Sequence, residues 1–243
     1  MNGFSCCAAI PCYRHGSALG AVLAHLAPYG LKAVVVDDGN LKEEAELISR
    51  TCREHGASLV VHPQNLGKGF AVASAVKWAH EQGFDHMLQI DADGQHDAAD
   101  IPKALSIAME HPHDVVSGAP VYDASAPRSR TIGRQITNFF VHVETMSRQI
   151  EDAMFGFRVY PVDEVFSLLS RRDLRSRMNF DVEIMVRLYW EGLDFRFFKT
   201  RVTYPQDGVS SFRPVDNLLL SMMHTKLCMM MPLGLVRRLH ARR

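Results

Sequence analysis

The sequence lacks an excess of charge of either sign. Its 243 residues contain 27 Lys plus Arg and 27 Asp plus Glu, so the formal net charge is zero. Proteins that bind nucleic acid usually carry a basic excess, and this class is therefore disfavoured. Low-complexity tracts and repeats of fixed period are also missing, which disfavours disordered and solenoid architectures.

Cysteine is scarce and its pattern is not that of a disulfide framework. The five cysteines are odd in number and form no C-x-x-C pair. Such a pattern favours reduced thiols in the cytoplasm. The N-terminal stretch "MNGFSCCAAIPCY" lacks a basic region and has only a short apolar run, so we expect no signal peptide. We therefore expect a cytoplasmic protein, with possible peripheral contact at the inner face of a membrane.

An uninterrupted apolar run of about 20 residues, as needed to cross a bilayer, is also missing. The Met- and Leu-rich segment 214–243 is broken by His224, Lys226 and Pro232. We expect an amphipathic segment that either lies on a membrane surface or packs on the protein's own core. In the first case, four arginines would face anionic headgroups: Arg237, Arg238, Arg242 and Arg243.

Two nucleotide-binding motifs are absent, which narrows the α/β folds that remain. No G-x-G-x-x-G follows the first predicted strand, and no GK[ST] occurs, so a Rossmann dinucleotide site and a P-loop are disfavoured. What is present is an alternation of short apolar strands with helical patterns. The predicted strands cover 5–10, 32–38, 57–62, 84–90 and 114–119. This order predicts a mostly parallel central sheet with helices on both faces.

The second half of the chain is less regular, but no linker separates it from the first. We predict a helix over 128–150, a strand over 155–161, a helix over 179–192 and a strand over 194–204, followed by a loop. We therefore expect a single domain over 1–243. It would comprise a nucleotide-binding half (5–120), an acceptor half (121–213) and the amphipathic C-terminal segment (214–243).

Polar residues follow the predicted strands directly. The carboxyl ends of parallel strands share one edge of a sheet, so residues 11–13, 37–39, 63–65 and 91–93 should gather there. Asp91 and Asp93 are separated by one small residue after a buried strand. Their hard oxygen atoms suit Mg²⁺ or Mn²⁺. The alternative is that both are solvated loop acids.

Five motifs follow one another along the chain: "IPCYRHGSAL", "AVVVDDGN", "HPQNLGKGFAVASAV", "LQIDADGQHDAADIP" and "DAMFGFRVYP". In order and spacing they resemble the motifs of glycosyltransferase family 2, and most of all those of its polyprenyl-phosphate members, which include dolichol-phosphate mannose synthase. The resemblance covers residues 5 to about 160 well and the rest loosely. It implies a GT-A fold and an inverting, metal-dependent transfer of a sugar from a nucleotide diphosphate to a lipid-linked acceptor such as a polyprenyl phosphate.

On the donor side, the resemblance implies a role for each matching residue. Pro11 and Tyr13 would flank the nucleobase. Asp38, next to Asp37, would read the edge of the base, unless this pair only makes a turn with Gly39 at positive φ. Four further residues complete the set: Lys68 would meet the diphosphate, Asp91 the ribose or sugar and the metal, Asp93 the metal, and Gln95 would complete the site.

On the acceptor side, the roles are more open. Arg134 and Arg158 could bind a phosphate acceptor or the donor diphosphate, or each could form a surface ion pair. Asp181 could be the base for a hydroxyl acceptor or the N-cap of the helix that follows. Three departures from the family pattern stand out. Arg14 and His15 follow Tyr13 where the family commonly has Asn and Glu, Phe155 replaces a small polar residue, and Ser211 replaces a histidine that could complete the metal site.

Two other classes of function remain as alternatives. A nucleotidyltransferase also uses acids after parallel strands to hold Mg²⁺, but it would need a basic, Gly-rich loop after the first strand, and "PCYRHGSAL" is a poor one. A non-catalytic nucleotide-sugar binding module would be favoured by the loss of Asp91 or Asp93, and both are present.

Overall fold

The fold is described from a computed structural model, which covers residues 4–121, 128–171, 174, 179–201 and 214–242. The predicted loop with Ser211 lies outside these residues, as does Arg243. Strands and helices alternate along the chain in this order: β1 (Cys6–Cys12), α1 (Gly16–Leu26), β2 (Lys32–Asp37), α2 (Lys42–Glu54), β3 (Ser58–Val61), α3 (Lys68–Glu81), β4 (His86–Gln89), α4 (Ile101–Glu110), β5 (Val115–Val121), α5 (Arg128–Thr145), β6 (Arg158–Pro161), α6 (Val162–Arg171), α7 (Phe180–Trp190), β7 (Phe195–Arg201) and α8 (Pro214–Ala241).

The strands form one seven-stranded sheet in the order β3-β2-β1-β4-β6-β5-β7. β6 runs antiparallel to both of its neighbours, β4 and β5, and the remaining pairs are parallel. The predicted α/β class with a mostly parallel sheet is thus confirmed. The reversed direction of β6 could not be predicted, since a short apolar strand reads the same in both directions.

Alternate residues of the central strands point to opposite faces of the sheet, and helices cover both. Cys7 and Ala9 of β1 belong to a core shared with α3, α6, α7 and α8. Ala8 and Ile10 belong to a second core, shared with α1, α2 and α4. Burial on both faces explains why β1 and β2 have nearly continuous apolar sequences.

The C-terminal helix α8 packs on the protein itself, which agrees with the second of the two alternatives for this segment. Leu220, Met223 and Leu227 lie in the core. Arg238 is also buried, and it donates hydrogen bonds to the carbonyl oxygens of Tyr189 and Leu193 at 2.7 and 2.8 Å. The expectation that Arg238 faces lipid headgroups is therefore wrong.

By length and composition alone, the stretch Asn217–Ala241 is apolar enough to cross a membrane. Core helices of soluble proteins pass the same test, and one side of α8 is in the core. The opposite side of the helix is largely exposed and apolar.

Candidate active site

The ends of β1 and β2 and the loop before α3 meet at one edge of the sheet, as predicted. The Asn40 side chain joins the end of β1 to the end of β2. Its side-chain amide donates to the carbonyl oxygen of Cys12 at 2.9 Å and to Asp37 Oδ1 at 2.7 Å, and its Oδ1 accepts from the backbone N–H of Arg14 at 2.7 Å. These three hydrogen bonds of the Asn40 side chain fix the shape of the loop after β1.

Gly39 allows the loops after β2 and β3 to approach each other. Its φ is +69°, and a Cβ at this position would lie 2.0 Å from the carbonyl carbon of Gln64. Any side chain would collide with backbone there. The predicted turn with Gly39 at positive φ is confirmed.

Asp38 is buried and its carboxylate is already saturated with donors. Oδ1 lies 2.8 Å from His62 Nδ1, and the carboxylate also accepts from the Asn65 amide and from the backbone N–H groups of Leu66 and Gly67 at 2.8 to 3.0 Å. A carboxylate offers about four acceptor positions. This geometry contradicts the predicted contact of Asp38 with a nucleobase; Asp38 instead holds the loop that leads to Lys68.

Asp37 has acceptor capacity that Asp38 lacks. Its Oδ1 accepts from the backbone and side chain of Asn40, whereas its Oδ2 has no donor within the part of the chain that the structure describes. Pro11 and Tyr13 lie close by at the end of β1, both partly exposed. The Arg14 guanidinium lies 5.2 Å from the centre of the Tyr13 ring. Pro11, Tyr13 and Asp37 therefore lie together at the paired ends of β1 and β2, and their contact with a nucleobase stays a prediction.

Lys68 is the centre of the site. It is the first residue of α3, and its Nζ lies 2.8 Å from Asp91 Oδ1, just after β4, and 2.7 Å from Asp181 Oδ2 in α7. The side chain is only 17% exposed. One ammonium group therefore connects the predicted donor half of the chain to the predicted acceptor half.

The charges in this group stabilise each other. Burial by itself would lower the pKa of Lys68, but the carboxylates of Asp181 and Asp91 outweigh it and raise that pKa above its usual value. Burial would likewise raise the pKa of Asp91, but Lys68 and then His96 lower it far below its usual range. Lys68 therefore stays cationic and Asp91 anionic at any ordinary pH.

Two further residues shape the surroundings of Asp91. A Cβ on Gly156 would lie 2.4 Å from Asp91 Oδ2, so only glycine lets this carboxylate lie against the loop before β6. His96 Nε2 lies 3.5 Å from the same oxygen. The His96 ring in turn meets Phe155 edge-on, with centroids 4.7 Å apart. Phe155 thus fills space beside the acid cluster.

Asp93 and Gln95 lie in a tight turn directly after Asp91. The Gln95 backbone N–H donates to Asp93 Oδ1 at 3.0 Å, and Gly94 has a φ of +71°. Asp93 is partly exposed. Among the described residues, no three His, Cys, Asp or Glu side chains are grouped closely enough to hold a metal ion.

The carboxylate oxygens of Asp91 and Asp93 nevertheless suit a divalent ion such as Mg²⁺. Mg²⁺ is usually held by one or two carboxylates together with substrate phosphates and water, and an all-protein cage is not needed. Asp93, with Asp91 beside it, offers such hard oxygen atoms at an accessible turn. The residues present therefore fit Mg²⁺ or Mn²⁺.

Asp181 and Arg158 are both buried, and their predicted roles change as a result. The N-cap of α7 is Asn179, so Asp181 is not the cap but lies in the first turn of the helix. Arg158 has no exposed side-chain surface. It donates to the Ala153 carbonyl oxygen at 2.7 Å and to the Asp181 carbonyl oxygen at 2.9 Å. Arg158 thus positions Asp181 and the loop before β6, and the predicted phosphate contact does not fit.

Arg134 forms an ion pair in the protein. Its Nη1 lies 2.6 Å from Asp152 Oδ2, with the Arg134 side chain 20% exposed. The other Asp152 oxygen accepts from the backbone N–H groups of Met154 and Phe155. Arg134 is therefore tied to the loop before β6, next to the cluster around Asp181.

Sequence reasoning missed several residues that build the site. The amide side chains of Asn40 and Asn65 organise two loops, His62 supports Asp38, and Gly156 makes room for Asp91. All four lie within the quoted motifs. For Asn40, His62 and Asn65 the available signal was a polar residue at or just after the end of a predicted strand, although most of their partners lie far away in sequence. Gly156 lies at the start of a predicted strand and gave no such signal.

Comparison with known proteins identifies the family of the chain. The family model "Glycosyl transferase family 2" matches residues 7–177. An uncharacterized glycosyltransferase of Mycobacterium tuberculosis is 36% identical over 214 residues, which cover 87% of this chain and 90% of that protein. A UDP-N-acetylglucosamine–dolichyl-phosphate N-acetylglucosaminyltransferase of Methanococcus voltae is 26% identical over 104 residues, 42% of this chain and 41% of that one.

A solved structure shows the same fold at low sequence identity. It is glucosyl-3-phosphoglycerate synthase from Mycobacterium tuberculosis in complex with Mn²⁺, UDP and glucosyl-3-phosphoglycerate. The TM-score is 0.63 at 13% identity, over 96% of this chain and 80% of that one. The fold is thus of the GT-A type, and the chain is a glycosyltransferase that belongs to glycosyl transferase family 2.

Proposed function

We propose that this glycosyltransferase moves a sugar, with inversion, from a nucleotide diphosphate sugar to the phosphate of a lipid-linked acceptor such as a polyprenyl phosphate. The motif resemblance and the dolichyl-phosphate relative from Methanococcus voltae support this acceptor class. The synthase with bound UDP and Mn²⁺ supports a donor of this kind and a divalent ion. We also propose that the reaction takes place on the cytoplasmic side of a membrane.

The observation that carries the acceptor class is the engagement of Asp181 by Lys68. An acceptor hydroxyl needs a base to remove its proton, whereas a phosphate acceptor is already anionic. Asp181 Oδ2 is 2.7 Å from Lys68 Nζ, and Oδ1 is 3.6 Å from Arg158. Uptake of a proton by this carboxylate would weaken its interactions with both cations. This placement favours a phosphate nucleophile.

Each residue of the site then has a part in binding or orientation. Tyr13, Pro11 and Asp37 would receive the nucleobase, and Asp91 and Asp93 would hold the divalent ion. When bound, the ion supplies electrostatic stabilisation of the departing diphosphate. Lys68, at the N-terminus of α3, would add a positive charge on the same side, and Asp181 keeps that ammonium group in place.

The alternative is transfer to a hydroxyl of a lipid or saccharide, with Asp181 as base. It would require Lys68 to move toward the diphosphate when donor binds, so that Asp181 is released. Family membership leaves the nucleotidyltransferase and the non-catalytic module without support. The division into a donor half and an acceptor half remains a prediction.

The donor site is tested by thermal melts with UDP, GDP, CDP and TDP, each with and without Mn²⁺. A ligand present at about 100 times its Kd should stabilise the folded protein by roughly 2.7 kcal/mol. We expect one diphosphate to stabilise the wild type only with Mn²⁺, and to lose this effect in Asp93→Asn. If no nucleotide shifts the melt under any condition, the proposed donor site is wrong.

The acceptor class is tested with the donor sugar that matches the stabilising nucleotide. Transfer is measured to a polyprenyl phosphate and to the polyprenol of the same length. The proposal predicts transfer to the phosphate and none to the alcohol. Transfer to the polyprenol would instead support the hydroxyl alternative, in which Asp181→Asn should lower the rate by about a hundredfold or more.

A further inference from the structure

Helix α5 carries a line of exposed apolar side chains on its outer side. Its members are between 37% and 69% exposed. They are spaced alternately by four and three residues, which places them along one side of a helix. The line comprises Ile132, Ile136, Phe139, Val143 and, just past the end of the helix, Met146.

Helix α8 carries a second such line, on the side opposite its buried residues. These side chains are between 51% and 79% exposed. They are Leu218, Met222, Met229, Leu233 and Val236. We call the two lines together the α5–α8 face.

The two helices lie side by side, so the lines belong to neighbouring surfaces. The Phe140 ring stacks on His224 with centroids 5.0 Å apart, and His224 Nδ1 lies 2.7 Å from Glu144 Oε1. Ten exposed large apolar side chains on adjacent helices exceed the scattered exposure usual for a soluble monomer. Something of low polarity should cover this face.

Within the two stretches of chain that carry the apolar lines, the exposed charges have one sign. Residues 131–146 and 217–242 contain a single acid, Glu144, and its side chain is fully buried. Lys226 follows Met222 by four residues and Arg237 follows Leu233 by four, so both lie beside the apolar line of α8. Their side chains are 53% and 48% exposed, although each also contacts a glutamate. In a chain with no net charge, this is a local basic border.

We propose that the α5–α8 face docks the protein on an anionic lipid bilayer. Apolar side chains would enter the boundary between headgroups and acyl chains, while Lys226 and Arg237 would meet lipid phosphates. A second copy of the chain is a poorer occupant, because pairing two such faces would bring basic borders together. Insertion of α8 across the bilayer would break the hydrogen bonds of the buried Arg238 to α7 and the turn after it.

The position of the face suits the site already described. Lys226 Nζ lies 3.2 Å from Glu183 Oε1 in α7, two residues after Asp181, and Arg134 of α5 holds Asp152 in the loop before β6. The face therefore adjoins the elements that carry Asp181. A lipid-linked acceptor would reach the site from this side; that consequence rests on the proposed function, whereas docking itself does not.

Vesicle cosedimentation of the full chain tests the docking, with no nucleotide, metal or acceptor added. The vesicles contain either phosphatidylcholine alone or an equal mixture with phosphatidylglycerol. We expect binding to the anionic vesicles that weakens when salt is raised from 0.1 to 0.5 M, because charges at a surface are screened. The double variant Phe139→Glu/Met229→Glu should bind at least about tenfold more weakly.

A matched control is provided by two exposed apolar residues on other parts of the surface. Leu41 and Met109 are 84% and 53% exposed, and Leu41→Glu/Met109→Glu should bind like the wild type. Thermal melts confirm that both variants are folded. Equal binding to neutral vesicles, no binding at all, or equal loss in the control would overturn the proposal. The proposal would also be overturned if the wild type bound no vesicles but formed a dimer in sedimentation velocity, and if only Phe139→Glu/Met229→Glu dissociated that dimer.

Because the vesicles carry no acceptor, this result is independent of the transfer assays. Vesicle binding without sugar transfer would leave the docking face intact and contradict the proposed function. Sugar transfer without vesicle binding would support the proposed function and contradict the docking face.

Discussion

At the scale of single residues, the most informative side chain is Lys68. A cation at the start of a helix is disfavoured by the helix dipole, so its position requires a compensating anion. Asp91 and Asp181 supply two. Removing the cation would leave two carboxylates facing each other in a poorly solvated space, which is more costly than the loss of an exposed pair.

We therefore expect Lys68→Met to lower the free energy of unfolding by about 3 kcal/mol, measured by urea denaturation. Lys77 lies in the same helix, 67% exposed and 3.7 Å from Glu81. Lys77→Met serves as the control and should change stability by less than about 0.5 kcal/mol. Adding Asp181→Asn to Lys68→Met should restore part of the loss; equal effects of the two single variants would contradict this account of the cluster.

At the scale of elements, strand β4 has a site residue just after its C-terminal end and a titratable side chain at its N-terminal end. Asp91 follows the strand, whereas His86 begins it, between β1 and the antiparallel β6. His86 is buried; its Nε2 donates to the Pro112 carbonyl oxygen at 3.0 Å, and its Nδ1 has no partner in the described residues. Burial lowers the pKa of His86 below 6.5, and the hydrogen bond to Pro112 opposes this only in part.

The lowered pKa of His86 makes stability depend on pH in a defined direction. Between its folded-state pKa and 6.5, the unfolded chain binds more protons, so stability falls as the pH drops below 6.5. The difference in unfolding free energy between wild type and His86→Gln should therefore shrink when urea denaturations are moved from about pH 7 to about pH 5. His25 is exposed, and His25→Gln should keep the wild-type dependence. A wild-type slope in His86→Gln would refute the assignment.

At the scale of the whole molecule, α8 joins the end of the chain to the turn between α7 and β7. Arg238 carries this connection through the Tyr189 and Leu193 carbonyl oxygens and Asp194 Oδ1, the last at 2.7 Å. Its guanidinium also lies 3.6 Å from the centre of the Tyr189 ring. The C-terminal helix is thus an integral part of the fold.

We expect Arg238→Met to lower the free energy of unfolding by about 2 to 4 kcal/mol, because two buried carbonyl groups lose their donor. Its neighbour Arg237 is 48% exposed and lies 3.9 Å from Glu191, and Arg237→Met should cost less than about 1 kcal/mol. Urea denaturation followed by circular dichroism measures both. If α8 were only loosely attached, the two variants would behave alike.

How much could be predicted from the sequence depended on the range of the interactions involved. The strands were predicted to within about three residues of their observed ends, because apolar patterning is a local signal. The helices were predicted less completely: α6 was missed, and α5 ends at Thr145, five residues before the predicted end. The gathering of residues at the carboxyl edge followed from the topology of parallel strands. The partners of individual side chains could not be predicted in this way. Asp38 binds the loop before α3 and is not left free for a nucleobase, and Arg158 is buried and not exposed to a phosphate.

The sequence by itself determined the α/β class, the family and the positions of the acids after β2 and β4, because motif order and strand patterning are properties of short segments. Only the tertiary structure decided that Lys68 joins Asp91 to Asp181, that Gly156 makes room for Asp91, and that α8 buries one side while its other side extends the apolar surface of α5. These features arise where segments distant in sequence meet. Burial there determines which charges must be paired and which side chains remain exposed.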